Sequence, residues 1–116
     1  MNPGDFLPLT ALDYQVLVVL AGRPLHGYGI VQATERAFPD QPAVDVGSLY
    51  RIISRMEDGG LIDEVARPAN VAASGRKRRF YALTELGAAV LRAETERVRS
   101  LLATADALVA RGWARE

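Results

Sequence analysis

The chain has 116 residues, no cysteine and a single histidine, with fourteen basic residues set against fourteen acidic ones. That length describes one domain with room for an appendage, and the composition excludes disulfides and thiolate metal sites and leaves too few ligands for structural zinc. A formal charge of zero also argues at first sight against a nucleic-acid partner.

Residues 1–9 contain Pro3, Gly4 and Pro8 and read as an irregular arm. Thr10 is placed to cap a first helix, with Asp13 three residues on as a shortened capping box. Leu12, Val16, Leu17 and Leu20 fall near one face of that helix, and Gly22 and Pro24 end it. A second helix is expected from about His26 to Phe38, with Tyr28, Val31 and Glu35 on one side and Ile30, Ala33, Thr34 and Ala37 on another. Pro39 and Pro42 break it. Asp45 is a good N-cap for a third helix, whose apolar stripe is Leu49, Ile52, Ile53 and Met56, closed by Gly59 and Gly60. Leu61–Val65 reads as a strand, Pro68–Gly75 as loop, and Arg76–Leu83 as a second strand pairing with the first in a long-tipped hairpin.

Thr84 then caps a helix of about 27 residues reaching Arg111, about 40 Å long at ~1.5 Å per residue. Along it Leu91, Glu94, Val98, Leu101, Ala105 and Leu108 alternate spacings of three and four, a heptad-like face with one acidic interruption. Gly112 ends the helix. Trp113 lies just beyond, either capping the seam or exposed. The order of three helices, a hairpin and a long helix is that of a winged helix-turn-helix. The fold class expected is mainly α with a small β-hairpin. Residues 1–83 form the winged domain, including the 1–9 arm, and residues 84–116 a C-terminal dimerisation helix.

The zero charge is a cancellation. Between Glu64 and Glu85 there is no acidic residue, while Arg67, Arg76, Lys77, Arg78 and Arg79 make that stretch +5 and leave −5 over the rest of the chain. A binding surface responds to local potential rather than to the sum. On the third helix, Ser48, Arg51 and Arg55 share a side flanked by Tyr50 and Ser54. The major groove admits such a helix, and arginine pairs bidentately with guanine O6 and N7. Taken alone, this pattern is equally that of a solvated helix face. The hairpin beside it carries Arg76-Lys77-Arg78-Arg79, suited to phosphates or the minor groove, with Arg76, Arg78 and Phe80 on one face and Lys77, Arg79, Tyr81 and Leu83 on the other. Tyr81 and Leu83 are expected to pack inward. Gly27 and Gly29 open the second helix unusually: they serve either a close phosphate approach or close helix packing. His26 reads as a surface or capping residue.

The long helix carries more apolar surface than a compact winged body covers. Leaving about five large side chains exposed forgoes on the order of 10 kcal/mol as an upper value, and a two-fold dimer removes that cost. The expected seam is Leu91, Val98, Leu101, Leu102, Ala105 and Leu108. No triad, nucleophile elbow, phosphate loop or carboxylate pair is visible, so no enzyme, catalytic residue, metal or cofactor is expected. The longest apolar run, Val16–Ala21, falls far short of the roughly 20 residues a membrane span needs, and MNPGDF has neither the basic nor the apolar region of a secretory signal. A cytoplasmic location follows as the expectation.

The sequence resembles the PadR family of transcriptional regulators, in its short form with one C-terminal helix. The resemblance covers about residues 9–95. It rests on Leu25-His26-Gly27-Tyr28-Gly29-Ile30, on Gly47-Ser48-Leu49-Tyr50-Arg51, on Arg55-Met56-Glu57 and Gly60-Leu61-Ile62, and on Gly75 to Gly87 with its Arg-Arg-Phe-Tyr-Ala-Leu-Thr-Glu core. Ser48 stands where threonine is usual and Gly59 where a charged residue is usual. The resemblance implies a homodimeric repressor on a near-palindromic operator of double-stranded DNA, released by a small apolar or aromatic effector. It places Tyr28, Tyr50, Ser48 and the wing at the DNA. The expected DNA-binding set is Tyr28, Ser48, Tyr50, Arg51, Arg55, Arg76, Lys77 and Arg78. The alternative is a winged-helix protein-interaction module without DNA, favoured by the acidic remainder of the chain.

Overall fold

The structure is a computed structural model that describes residues 2–73 and 77–112. A 3-10 turn at Pro3–Phe6 leads into α1 (Ala11–Gly22), β1 (Leu25–His26), α2 (Gly27–Ala37), α3 (Val46–Asp58), β2 (Ile62–Val65), β3 (Phe80–Leu83) and α4 (Glu85–Ala110). The order of helices and hairpin is the one read from the sequence. The two-residue β1 is an addition: it pairs antiparallel with β3, Leu25 opposite Tyr81 and His26 opposite Phe80. On its other side β3 pairs with β2, from Ile62 opposite Leu83 to Val65 opposite Phe80. The sheet order is therefore β1-β3-β2.

Each α-helix begins at a side-chain cap that accepts the N–H three residues on: Thr10 from Asp13, His26 from Gly29, Asp45 from Ser48 and Thr84 from Gly87. Each such cap contributes about 1 kcal/mol and fixes where its helix starts. The capping box at Thr10 is only half formed, because the Asp13 carboxylate turns away to Arg55. At the far ends Gly60 (φ +77°) and Gly112 (φ +76°) follow α3 and α4 in the left-handed conformation that favours glycine.

Val16, Leu17 and Leu20 of α1, Ile30 and Val31 of α2, and Leu49, Ile52, Ile53 and Met56 of α3 close a single core with Ile62, Tyr81 and Val90. The α3 stripe is buried as its spacing predicts. Val31 departs from expectation by turning into the core while Tyr28 and Glu35 stay outside. Phe80 is buried as well as Tyr81, because each face of this central strand is covered. One side meets the core, and on the other Phe80 meets His26 edge-on, with ring centroids 5.3 Å apart.

The second strand is shorter than expected. It starts at Phe80 rather than Arg76, since its partner β2 ends at Val65, and Pro68 beyond has no N–H to extend a ladder. Lys77, Arg78 and Arg79 therefore form the lead-in to β3. Their alternation survives locally: Arg78 joins Phe80 on the His26 side, and Arg79 turns to Glu64 at 3.1 Å.

α4 lies against the body only in its first half. Gly87, Val90 and Glu94 are its buried residues, and Tyr14 of α1 meets Thr95 at 2.6 Å. Thr95 Oγ1 donates to the Leu91 carbonyl, so the Tyr14 hydroxyl is the donor in that contact. From Arg99 to Ala107 every residue is exposed, and the molecule measures 61 × 32 × 26 Å. Among the described residues no helix is long and apolar enough to cross a membrane.

Candidate nucleic-acid interface

The exposed side of α3 is organised from its cap. Asp45 accepts the Ser48 N–H at 2.8 Å through Oδ1, and the Ser48 hydroxyl donates to Oδ2 at 2.8 Å. Arg51 Nη2 then donates to Ser48 Oγ at 3.3 Å. These contacts hold the Asp45 carboxyl below its ordinary value, the Ser48 backbone N–H first. A fixed carboxylate thus aligns the serine, and the serine orients the arginine, on a face that stays open.

Beside this face is a cleft of about 530 Å³ whose walls include His26, Tyr28, Tyr50, Lys77, Arg78 and Arg79. It joins the start of α2, the side of α3 and the lead-in to β3. Tyr28 and Tyr50 are 61% and 55% exposed, so both hydroxyls reach solvent from rings anchored on the protein. Gly27 makes room for one of them: a Cβ there would lie 3.3 Å from the Tyr50 hydroxyl. Of the two uses left open for Gly27, the structure shows close packing between α2 and α3. His26 caps α2 through Nδ1, 3.1 Å from the Gly29 nitrogen, and its Nε2 lies 2.8 Å from Arg78 Nη1. Burial and, after it, the Arg78 charge push the His26 pKa below 6.5.

Tyr28, Ser48, Tyr50, Arg51, Lys77 and Arg78 thus lie together along one side of the molecule. Arg76 lies outside the described residues, as does Trp113. Arg55 departs from its expected role. Its Nη1 and Nη2 donate to the two Asp13 carboxylate oxygens at 2.7 and 3.0 Å, and this contact raises the arginine pKa. A guanidinium held this way ties α3 to α1 rather than projecting to a base edge. The capping position of Asp13 hid that pairing in the sequence, because one residue cannot close a box at Thr10 and grip α3 together.

The expected seam on α4 divides in two. Leu91 packs against its own core, and Glu94, expected as an interruption of the seam, is almost fully buried beneath the arm. It accepts the Leu9 N–H at 3.0 Å and two bonds from Arg97. Those contacts, Arg97 first, hold its carboxyl below the ordinary value against the opposing effect of burial. Val98 is half-buried, Leu101 and Leu102 are 56% and 58% exposed, Ala105 is exposed and Leu108 is half-buried. Leu91 is corrected accordingly: the first half of α4 faces its own arm and α1, which takes that residue out of any purely intersubunit face.

A small antiparallel wing set against a capped third helix defines a winged helix-turn-helix protein. The chain matches the model of the PadR-like transcriptional regulator family over residues 16–93. It belongs to that family, whose members are transcriptional regulators and not enzymes. A PadR family transcription regulator from Clostridium difficile shares its fold with TM-score 0.71 and 22% identity, over 86% of this chain and 99% of that one. A PadR-like regulator from Bacillus cereus gives 0.69 and 21%, over 84% and 90%. The Bacillus subtilis PadR in complex with operator DNA gives 0.60 and 20%, over 72% of this chain and 46% of that one. No match was found among curated proteins.

Proposed function

We propose that the protein is a sequence-specific DNA-binding repressor, acting in the cytoplasm as a homodimer on a near-palindromic operator. The observation that carries this reading is the donor-rich cleft beside the open Ser48–Arg51 face. A helix seated in the major groove puts Arg51 at base edges, with Ser48 as its support. Tyr28, Tyr50, Lys77 and Arg78 then meet the flanking backbone. Family membership and the operator-bound state of the Bacillus subtilis protein support the same assignment. Arg55 acts behind this surface by holding α3 in place.

The apolar second half of α4 supplies the dimer contact through Val98, Leu101, Leu102, Ala105 and Leu108. Leu91 belongs to an open groove of about 530 Å³ shared with Leu20, Pro24 and Leu83, where α1, β3 and α4 meet. That groove is the candidate seat of a small apolar or aromatic effector, since an occupant there touches both the winged body and the helix that pairs the subunits. Effector-induced release from DNA is the corresponding measurement.

The reading is tested by selecting bound fragments from random duplex DNA and measuring affinity against salt. A recovered near-palindrome and a steep fall in affinity with salt are expected. A dimer with no salt-sensitive affinity for any duplex would instead identify a protein-interaction module. Replacing Lys77 and Arg78 with alanine should weaken binding to all sequences and flatten the log–log salt slope by about two units. Arg51→Ala should relax the preference at one operator position, at a cost of about 1–3 kcal/mol.

A further inference from the structure

His26 holds two contacts that a neutral imidazole cannot satisfy together. Its ring offers one acceptor nitrogen and one donor nitrogen. Nδ1 accepts the Gly29 N–H at 3.1 Å. That N–H is fixed by the helix and part-buried, so losing its acceptor is costly. The proton therefore sits on Nε2. Facing Nε2 at 2.8 Å is Nη1 of Arg78, a guanidinium that carries donors and no acceptor. Two N–H groups converge there with no acceptor between them.

The surroundings offer no anion to resolve this. The groups lining the two clefts that His26 borders are Tyr28 on α2, Tyr50 on α3, Lys77, Arg78 and Arg79 ahead of β3, and Arg67 beyond β2. Arg79 already pairs with Glu64. Phe80 holds the imidazole edge-on from behind, so the ring keeps its orientation while the exposed Arg78 is free to swing. What completes this geometry is an anionic oxygen between Nε2–H and the guanidinium.

We infer that His26 is a phosphate ligand, whose Nε2–H and the Arg78 guanidinium together clamp an oxygen of the DNA backbone at the start of α2. This rests on the DNA-binding reading above and adds His26 to the interface. It also gives the histidine two simultaneous tasks, one ring nitrogen for the helix and one for the duplex. The adjacent N-terminus of α2 adds its dipole to the same oxygen. Charge-assisted hydrogen bonds are the strong class, so the contact should be visible in affinity.

The single histidine makes the test clean, because every imidazole signal belongs to His26. Long-range proton–nitrogen correlation spectra of the full-length protein should show the Nε2–H form in the free state. Saturating with a duplex should move the Nε2 proton and nitrogen while Nδ1 keeps its acceptor shift. A free protein in the Nδ1–H form, or an Nε2 signal indifferent to duplex, overturns the inference. Inorganic phosphate at the same phosphate concentration separates the sources: a response to duplex alone assigns the backbone, and a response to both assigns phosphate oxygens generally.

The companion variant is H26N, which keeps a capping oxygen for Gly29 but lacks the reach of Nε2. It should melt close to the parent and bind duplex about tenfold more weakly or worse. Parental affinity in H26N, with the parent itself binding DNA, overturns this inference alone. A parent that binds no duplex overturns the DNA reading and this one with it.

Discussion

Gly87 shows how single atoms position the long helix. The first turn of α4 runs so close to the preceding α3–β2 turn that a Cβ at residue 87 would collide with the Leu61 carbonyl. The same corner is tied by Thr84, whose N–H donates to the Leu61 carbonyl and whose hydroxyl donates to that of Gly60 at 2.6 Å. Backbone cannot give way as a flexible side chain does, so Gly87→Ala should cost about 1–3 kcal/mol or more, read as a lower urea midpoint at unchanged slope. Two titrating residues predict a second behaviour. The His26 pKa lies below 6.5 in the folded chain, so its stabilisation is present above that value and is lost as pH falls through the folded value. Glu94 follows the same sign lower down: its stabilisation is present above 4.5 and is lost on further acidification. Urea midpoints against pH should therefore fall in two stages. H26N should remove the upper stage and E94Q the lower; a single stage in both variants would mean other groups set the acid response.

At the scale of elements, α3 is held from below by an ion pair that changes how its arginines are to be tested. Asp13 is buried and Arg55 is largely exposed, so solvent weakens the pair and its coupling should be about 1 kcal/mol. A double-mutant cycle with Asp13→Ala and Arg55→Ala should recover that value. Arg55→Ala should lower affinity for all duplexes together, whereas Arg51→Ala changes base preference at one position; a changed base preference in Arg55→Ala would return that residue to the groove. The helices, their caps and the α3 stripe were legible in the sequence because capping and 3.6-residue periodicity are local. β1 was not, because two residues carry no period and exist as a strand only by pairing with Tyr81 and Phe80. Arg55 and Glu94 were misplaced for a related reason. Arg55 pairs with a residue 42 positions away, and Glu94 accepts from one 85 positions away, and spacing along one helix says nothing of either. Conversely, Tyr28, Ser48, Tyr50, Arg51, Lys77 and Arg78 were found from chemistry type and order, and the fold brings them to one side. His26 was recognised as a cap, but its second nitrogen faces an arginine that only the sheet brings near.

The whole molecule joins an evenly charged chain to an uneven shape. Its basic stretch is gathered at the wing, and the apolar part of α4 from Val98 onward projects past the body, with Val109 62% exposed. Two copies that pair these helices would carry two wings against one duplex, with recognition helices about 34 Å apart to meet successive major-groove faces. A single copy would bring few cations to phosphate while its acidic remainder opposes the approach. Pairing and DNA binding should then fail together. Replacing Leu101 and Leu102 with glutamate should convert the dimer to monomer in sedimentation, and the winged body should persist by circular dichroism because both side chains lie outside its core. Each phosphate neutralised contributes about −0.9 to the log–log salt slope, so the monomer's slope should be about half the dimer's. Its affinity for a full operator should approach that for half an operator, because the second wing no longer arrives with the first. A glutamate variant that stays dimeric would place the subunit contact elsewhere. A monomer that keeps full operator affinity would show that one wing suffices, and the acidic remainder would then have no part in restraining binding.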